Sequence, residues 1–259
     1  MSGQTRDDSL LTFKAKELRG SRLRCLMLTS MPERQVASIL TRIITPIPSV
    51  TVGRIWCPRG FLHPDEPKLG EHPDFLTPDE RNVVTDWWLK VRRNANTPNW
   101  DIVSRCEIGG QRGLILVEAK AHTEESKRAG KDKGNADNDC QIDGAICQAN
   151  SALDSVLPGW ALTKDSHYQL CNRVAWAWKL GTMGIPTILV YLGFLHCDEM
   201  SDCGIPLSTA EHWERALREH SEGIVPPNAW GVRIPTSSAP IWALVRSLDV
   251  QWNVFEPRA

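Results

Sequence analysis

Apolar positions recur along the chain with two different periods, and the change from one to the other marks out the elements. Thr77-Pro78-Asp79-Glu80 has the form of a helix start, with Thr as N-cap, Pro in the first turn and Glu three residues after the cap. Val83, Val84, Trp87, Trp88 and Val91 follow at helical spacing and predict a helix to about Arg93. Residues 101–108 then alternate roughly between apolar and polar, as a half-buried strand does, and 114–117 form a continuous apolar run suited to a strand covered on both faces. Gly109-Gly110-Gln111-Arg112-Gly113 between them is turn chemistry, so 100–122 reads as a β-hairpin. Residues 140–157 read as a helix with Ile142, Ala145, Ile146, Ala149, Leu153 and Val156 on one side. Ser166-His167-Tyr168-Gln169 repeats the capping-box form and predicts a second helix through Leu180. The run 186–195 is a buried strand, and its long helical connection from the hairpin predicts a parallel crossover within one sheet.

Weaker signals fill the rest. A helical pattern runs over 31–40, another helix is expected at 208–221, and 229–252 is Trp-rich, irregular or strand. Residues 63–76 are a Pro-rich loop, and 123–139 form a charged loop without period that holds Lys127 and Arg128. There is no internal repeat. The expectation is one domain over 1–259, with a core at about 77–195, an N-terminal extension at 1–76 and a C-terminal extension at 196–259 packed on that core.

The hairpin carries the chemistry. If its loop is Gly109-Gly110, Asp101 falls opposite Glu118; if the loop is Gly110-Gln111, Asp101 falls opposite Lys120. Glu118 and Lys120 share one strand face in either register, because side chains alternate along a strand. Two carboxylates brought this close repel and need a cation. Lys120 offers one charge, and a hard divalent ion that takes oxygen ligands, Mg²⁺ or Mn²⁺, offers two more. Asp101 and Glu118 holding such an ion, with Lys120 beside the attacking water, would be machinery for phosphodiester hydrolysis. A hairpin with charged ends and a solvated Glu–Lys pair satisfies the same spacing.

Asp101, sixteen intervening residues and then Glu118-Ala119-Lys120 resemble the active-site signature of the PD-(D/E)xK nuclease superfamily, which includes restriction endonucleases, RecB-type nucleases and Holliday-junction resolvases. The likeness covers 77–195, and Trp100 stands where the signature has Pro, with Pro98 three before the Asp. The resemblance implies an α/β, restriction-endonuclease-like core of αβββαβ type, a mixed sheet flanked by helices on both faces. It implies catalysis by Asp101, Glu118 and Lys120, with Mg²⁺ or Mn²⁺ held by Asp101 and Glu118. It further implies that Glu80, on the helix before the hairpin, completes the metal site, although Glu80 also fits as the closing residue of its own capping box. Gln141 and Gln148 on the next helix become candidates to touch metal or substrate. Arg173, Lys127 and Arg128 are candidate phosphate contacts or simply solvated charges. The implied activity is a divalent-metal-dependent nuclease acting on DNA; the alternative is a non-catalytic nucleic-acid-binding or assembly protein on the same fold.

Composition narrows the partners only slightly. With 41% hydrophobic and 24% charged residues the chain has the make-up of an ordinary globular protein, and a net charge of −1 excludes a generic polyanion binder, so any nucleic-acid surface must be local. Arg19, Arg22 and Arg24 form one small basic cluster, read either as a solvated face or as a phosphate patch. Eight cysteines without a CxxC pair predict free, mostly buried thiols and a cytoplasmic setting. No apolar run is long enough for a membrane span, so no membrane partner is expected. His63, Asp65 and His72 are a second, poorly framed set of possible metal ligands, the basis for an unrelated metal-dependent hydrolase. Oligomeric state is left open, with a homodimer as one option.

Overall fold

A computed structural model describes residues 19–126, 128–132 and 134–250. The hairpin lies at the centre of its sheet: β2 is Ile102–Ile108 and β3 is Gln111–Lys120. Gly109 and Gly110 make the two-residue loop at φ 56° and 81°, a left-handed conformation that glycine adopts without a Cβ clash. On one side β1 (Val50–Cys57) pairs antiparallel with β2. On the other, β4 (Thr187–Leu195) runs parallel to β3, and β6 (Ile241–Asp249) runs parallel to β4 with the short β5 (Arg233–Ile234) at the edge. The result is a six-stranded mixed sheet in the order β1-β2-β3-β4-β6-β5.

Because side chains alternate, each central strand feeds two cores. Val103, Leu116, Leu189 and Ala243 face a layer made by α3 (Pro78–Trp88), α4 (Ala136–Val156), α5 (Tyr168–Thr182) and α6 (Ala210–Ser221). Ile115, Val117, Val190 and Leu244 face α1 (Gly20–Thr29) and α2 (Glu33–Ile44). This is an α/β fold with helices on both faces of a mixed sheet, as expected. On the α3 side, Trp87, Trp88, Trp176 and Trp178 pack ring against ring, with Trp88 and Trp176 edge-on at 5.7 Å, and so join α3 to α5. Five of the eight cysteines are buried, and all eight are free.

Several expectations need correction. The sheet is not confined to 77–195: β1 precedes α3, and β6 pairs along the whole of β4, so the flanking segments supply strands of the sheet. α1 lacks a clean period because nearly all of it is buried, from Leu23 to Thr29. α3 ends at Trp88 rather than near Arg93, and α4 starts at Ala136 because Asn135 caps it by accepting from the amides of Asp137 and Asn138. Ser166 caps nothing in α5. His167 occupies the N-cap position in a left-handed conformation (φ 49°) without a side-chain cap, which frees Gln169 for another partner. Among the described residues no helix is long and apolar enough to cross a membrane.

Candidate functional site

The Gly109-Gly110 loop selects the first of the two registers. Ile102 pairs with Val117, so Asp101, one residue before, stands across from Glu118 at the open end of the hairpin. Odd positions of β2 and even positions of β3 face the α3–α6 core, which brings Asp101, Glu118 and Lys120 onto one face beneath the first turns of α5. Trp100, fully buried and bonded through its backbone N–H to the Pro67 carbonyl at 3.0 Å, anchors the chain just before Asp101.

Each side chain of the cluster makes at least one hydrogen bond. Lys120 Nζ donates to Glu118 Oε1 at 2.5 Å and to Gln169 Oε1 at 3.1 Å. Arg173 Nε donates to Glu118 Oε2 at 2.5 Å, its Nη1 donates to Asn172 Oδ1 at 2.9 Å, and its guanidinium lies over the Trp100 ring at 4.6 Å. Asp101 Oδ2 accepts from the Ala119 amide at 2.7 Å. Glu118, Lys120 and Arg173 are buried, whereas Asp101 is half-buried at the mouth.

Two carboxylates and two cations balance formally, but not evenly. Burial pushes the Glu118 carboxyl up, yet Arg173 and then Lys120 outweigh it and hold Glu118 below its usual range. Asp101 has no such partner. Burial first and the Glu118 charge second push its carboxyl up to about 8, against a smaller opposing pull from Lys120. Burial lowers Lys120, but Glu118 and Asp101 more than restore it, so it stays a cation. Asp101 is the member whose charge is least compensated.

The cluster forms the floor of a cleft of about 920 Å³. Glu66 lines the same cleft, and its charge adds to the upward push on Asp101; its own carboxylate is held by Arg22 Nη1 at 2.5 Å and Asn99 Nδ2 at 3.2 Å. Glu125, also at the cleft, accepts from the Ala121 amide at 2.7 Å. Sequence reasoning missed Glu66 and Gln169. Glu66 sits in a loop without period, and Gln169 looked like the closing residue of a capping box that does not form.

The other candidates lie elsewhere. Glu80 accepts from the Thr77 amide at 2.7 Å and forms an ion pair with Arg112, near the turn end of β3. Arg112 and Glu118 are six residues apart on β3, roughly 20 Å at ~3.3 Å per residue, so Glu80 is a cap and not part of the Asp101–Glu118 cluster. Gln141 Nε2 donates to the Asp86 and Trp87 carbonyls, both at 3.0 Å, and Gln148 Oε1 accepts from Trp87 Nε1 at 2.8 Å; the two glutamines tie α4 to α3. Arg128 Nη2 donates to the Glu219 carbonyl at 3.2 Å, away from the floor. Lys127 lies outside the described residues. Of the four described phosphate and substrate candidates, Arg173 alone joins the cluster. Arg19, Arg22 and Arg24 pair with Asp202, Glu66 and Glu199, so they are not a free phosphate patch. His63, Asp65 and His72 line a neighbouring cleft of about 1000 Å³, and among the described residues no three His, Cys, Asp or Glu side chains converge as a ready metal cluster.

Comparison with protein-family models, with curated proteins and with solved structures returned no match for this chain.

Proposed function

We propose that the protein is a divalent-metal-dependent nuclease of the PD-(D/E)xK type, hydrolysing phosphodiester bonds in DNA. The observation that carries this reading is the meeting of Asp101, Glu118 and Lys120 on one face at the floor of a cleft, with Asp101 under-compensated. From α2 to β4 the succession is helix, strand, helix, two strands, two helices, strand, with β1, β2, β3 and β4 neighbours in that order; apart from α3, inserted between β1 and β2, it agrees with the αβββαβ progression that the resemblance implies.

The residues fit a hard cation. An oxygen-only donor pair, one member of which is pushed up to about 8 by burial and then by the neighbouring Glu118 charge, is what Mg²⁺ or Mn²⁺ would relieve. Asp101 and Glu118 would hold it. Asp101 keeps one oxygen clear of the Ala119 amide, while Arg173 and Lys120 keep Glu118 ionised. When bound, such an ion polarises the phosphoryl oxygen and makes a nearby water more acidic. Lys120 cannot ligate a cation; its ammonium, aimed by Glu118 and by Gln169, orients the attacking water and offsets charge that builds on the phosphate. Arg173 braces Glu118 against α5. Water attacks phosphorus and gives up a proton to solvent, the P–O bond to the leaving strand breaks, and the departing oxygen takes a proton from solvent.

A second reading draws on one specific observation. Both Glu118 oxygens are already bonded to cations, as in a purely structural ion pair, and this favours a non-catalytic nucleic-acid-binding or assembly protein on the same fold. Plasmid and oligonucleotide cleavage with Mg²⁺ or Mn²⁺, run beside calorimetric metal titration, separates the two. The nuclease reading expects cleavage and metal binding in the wild type, both lost in Asp101→Ala. A wild type inert on DNA and RNA with either ion overturns it in favour of the binding protein.

A further inference from the structure

The shape and charge of the cleft bear on which nucleic acid reaches its floor. Resting on the nuclease reading above, we propose that the cleft takes single-stranded nucleic acid, free or as an unpaired end, and rejects intact duplex.

Three observations carry this. The first is depth: Glu118, Lys120 and Arg173 are only 1%, 7% and 6% exposed, so a scissile phosphate must descend into the cleft to meet them. A volume of about 920 Å³ corresponds to a cube roughly 10 Å on edge, in the range of small-ligand pockets, whereas a duplex is wider than its own ~12 Å major groove. The second is that hydrogen bonds hold both walls. On one side Lys131 N–H donates to the Lys164 carbonyl at 2.7 Å and Tyr168 N–H to the Ala129 carbonyl at 3.0 Å. On the other, Asn138 grips the backbone of Val91 in both directions, at 2.7 and 2.9 Å. Widening the cleft for a duplex would break these bonds.

The third observation is charge. Among the described residues four cations line the cleft, Arg93, Lys120, Lys131 and Arg173, and five carboxylates line it too. Lys120 and Arg173 are paired with Glu118 and Lys131 with Asp139, which leaves Arg93 as the one of the four without a carboxylate partner. Proteins that track duplex phosphates neutralise many at once, and the four described cations of this lining are too few for that. What it offers instead are exposed amides, Asn94 and Asn96, and the half-buried Tyr168 ring. Amides hydrogen-bond base edges and an aromatic ring stacks on a base, and both groups are available only when the bases are not already paired and stacked.

The test uses the full chain and three fluorescent 12-mers: single-stranded DNA, single-stranded RNA and blunt duplex DNA. Anisotropy in EDTA reads binding without turnover, and Mg²⁺ or Mn²⁺ is then added to read cleavage. We expect either single strand to bind at least ~10-fold tighter than duplex. The salt slope should be no steeper than about −3, since the four described cations at about −0.7 each come to that value. Tyr168→Ala should weaken single-strand binding by about 5- to 100-fold. Should that variant fail to fold, Arg93→Ala at the exposed rim should flatten the slope by about 0.7 instead. The tighter of the two single strands identifies DNA or RNA as the source. Duplex bound as tightly, or a slope steeper than about −5, overturns the inference; cleavage of that duplex would still uphold the nuclease reading. Single strand bound but never cut overturns the nuclease reading and leaves the cleft a single-strand binder. No binding and no cleavage of any form overturns both.

Discussion

Replacing Asp101 by Asn should stabilise the metal-free protein, although Asp101 is the residue the proposed chemistry needs most. The substitution removes a charge and keeps an oxygen able to accept from the Ala119 amide. In the folded chain burial, and then Glu118, push the Asp101 carboxyl up to about 8 from an ordinary 3.8. The folded state therefore binds this proton more tightly than the unfolded state does. Its contribution to stability is full below about pH 4 and is lost as pH rises to about 8. At pH 8 the gap of about 4 pH units, at ~1.4 kcal/mol per unit, sets an upper limit of ~6 kcal/mol. Asp101 is only half-buried, and Lys120 can shift toward it, so solvent screening brings the expected gain down to ~2–3 kcal/mol. For a chain of this size that is a rise in Tm of ~5–10 °C. Tryptophan-monitored thermal and urea unfolding in EDTA, from pH 5 to pH 8.5, reads the effect directly. Wild type should lose stability toward alkaline pH while Asp101→Asn stays nearly level, and the difference between them should shrink toward pH 5. An Asp101→Asn chain no more stable than wild type at pH 8, or a difference that does not change with pH, would refute the reasoning. Adding Mg²⁺ or Mn²⁺ at pH 8 should then raise the Tm of wild type and leave the variant where it was.

Lys120→Ala should lower metal-dependent cleavage by ~10²–10³-fold in a plasmid-nicking assay while the chain still folds, because Glu118 keeps Arg173 as a partner; equal cutting by variant and wild type would put the catalytic centre elsewhere. Arg173→Ala removes the direct link from Glu118 to α5 and leaves a buried carboxylate half-paired, so unfolding in urea should show a loss of ~3–5 kcal/mol, part of which Arg173→Lys restores. Glu80→Ala should cost ~1 kcal/mol through the lost capping box and leave metal affinity and cleavage rate unchanged, and a drop in calorimetric metal affinity would return Glu80 to the site.

Local chemistry was enough to determine the hairpin, the capping box at Thr77, the buried strand that became β4 and its parallel crossover, since each depends on neighbours a few residues apart. Two consecutive glycines narrowed the register of Asp101 to two options, and alternation already set Glu118 and Lys120 on a common face. Between the two registers only the folded loop could choose. Sequence also could not reveal α1, whose residues are buried almost all round and so lose the helical period. Nor could it reveal that β1 and β6 complete the sheet, because strand pairing over long separations leaves no local mark. The same reason explains the site. Glu80 and Ser166 both fit capping boxes in the sequence, but only the first one forms; Glu80 is held there by Arg112, while the failure of the second releases Gln169 to reach Lys120. Arg173 stood in the sequence as a candidate phosphate contact or a solvated charge. Packing of α5 over β3 turned it into the partner of Glu118. The carboxylates are near each other because of the hairpin, but their unequal charge balance comes from which cations the tertiary fold lays beside each of them.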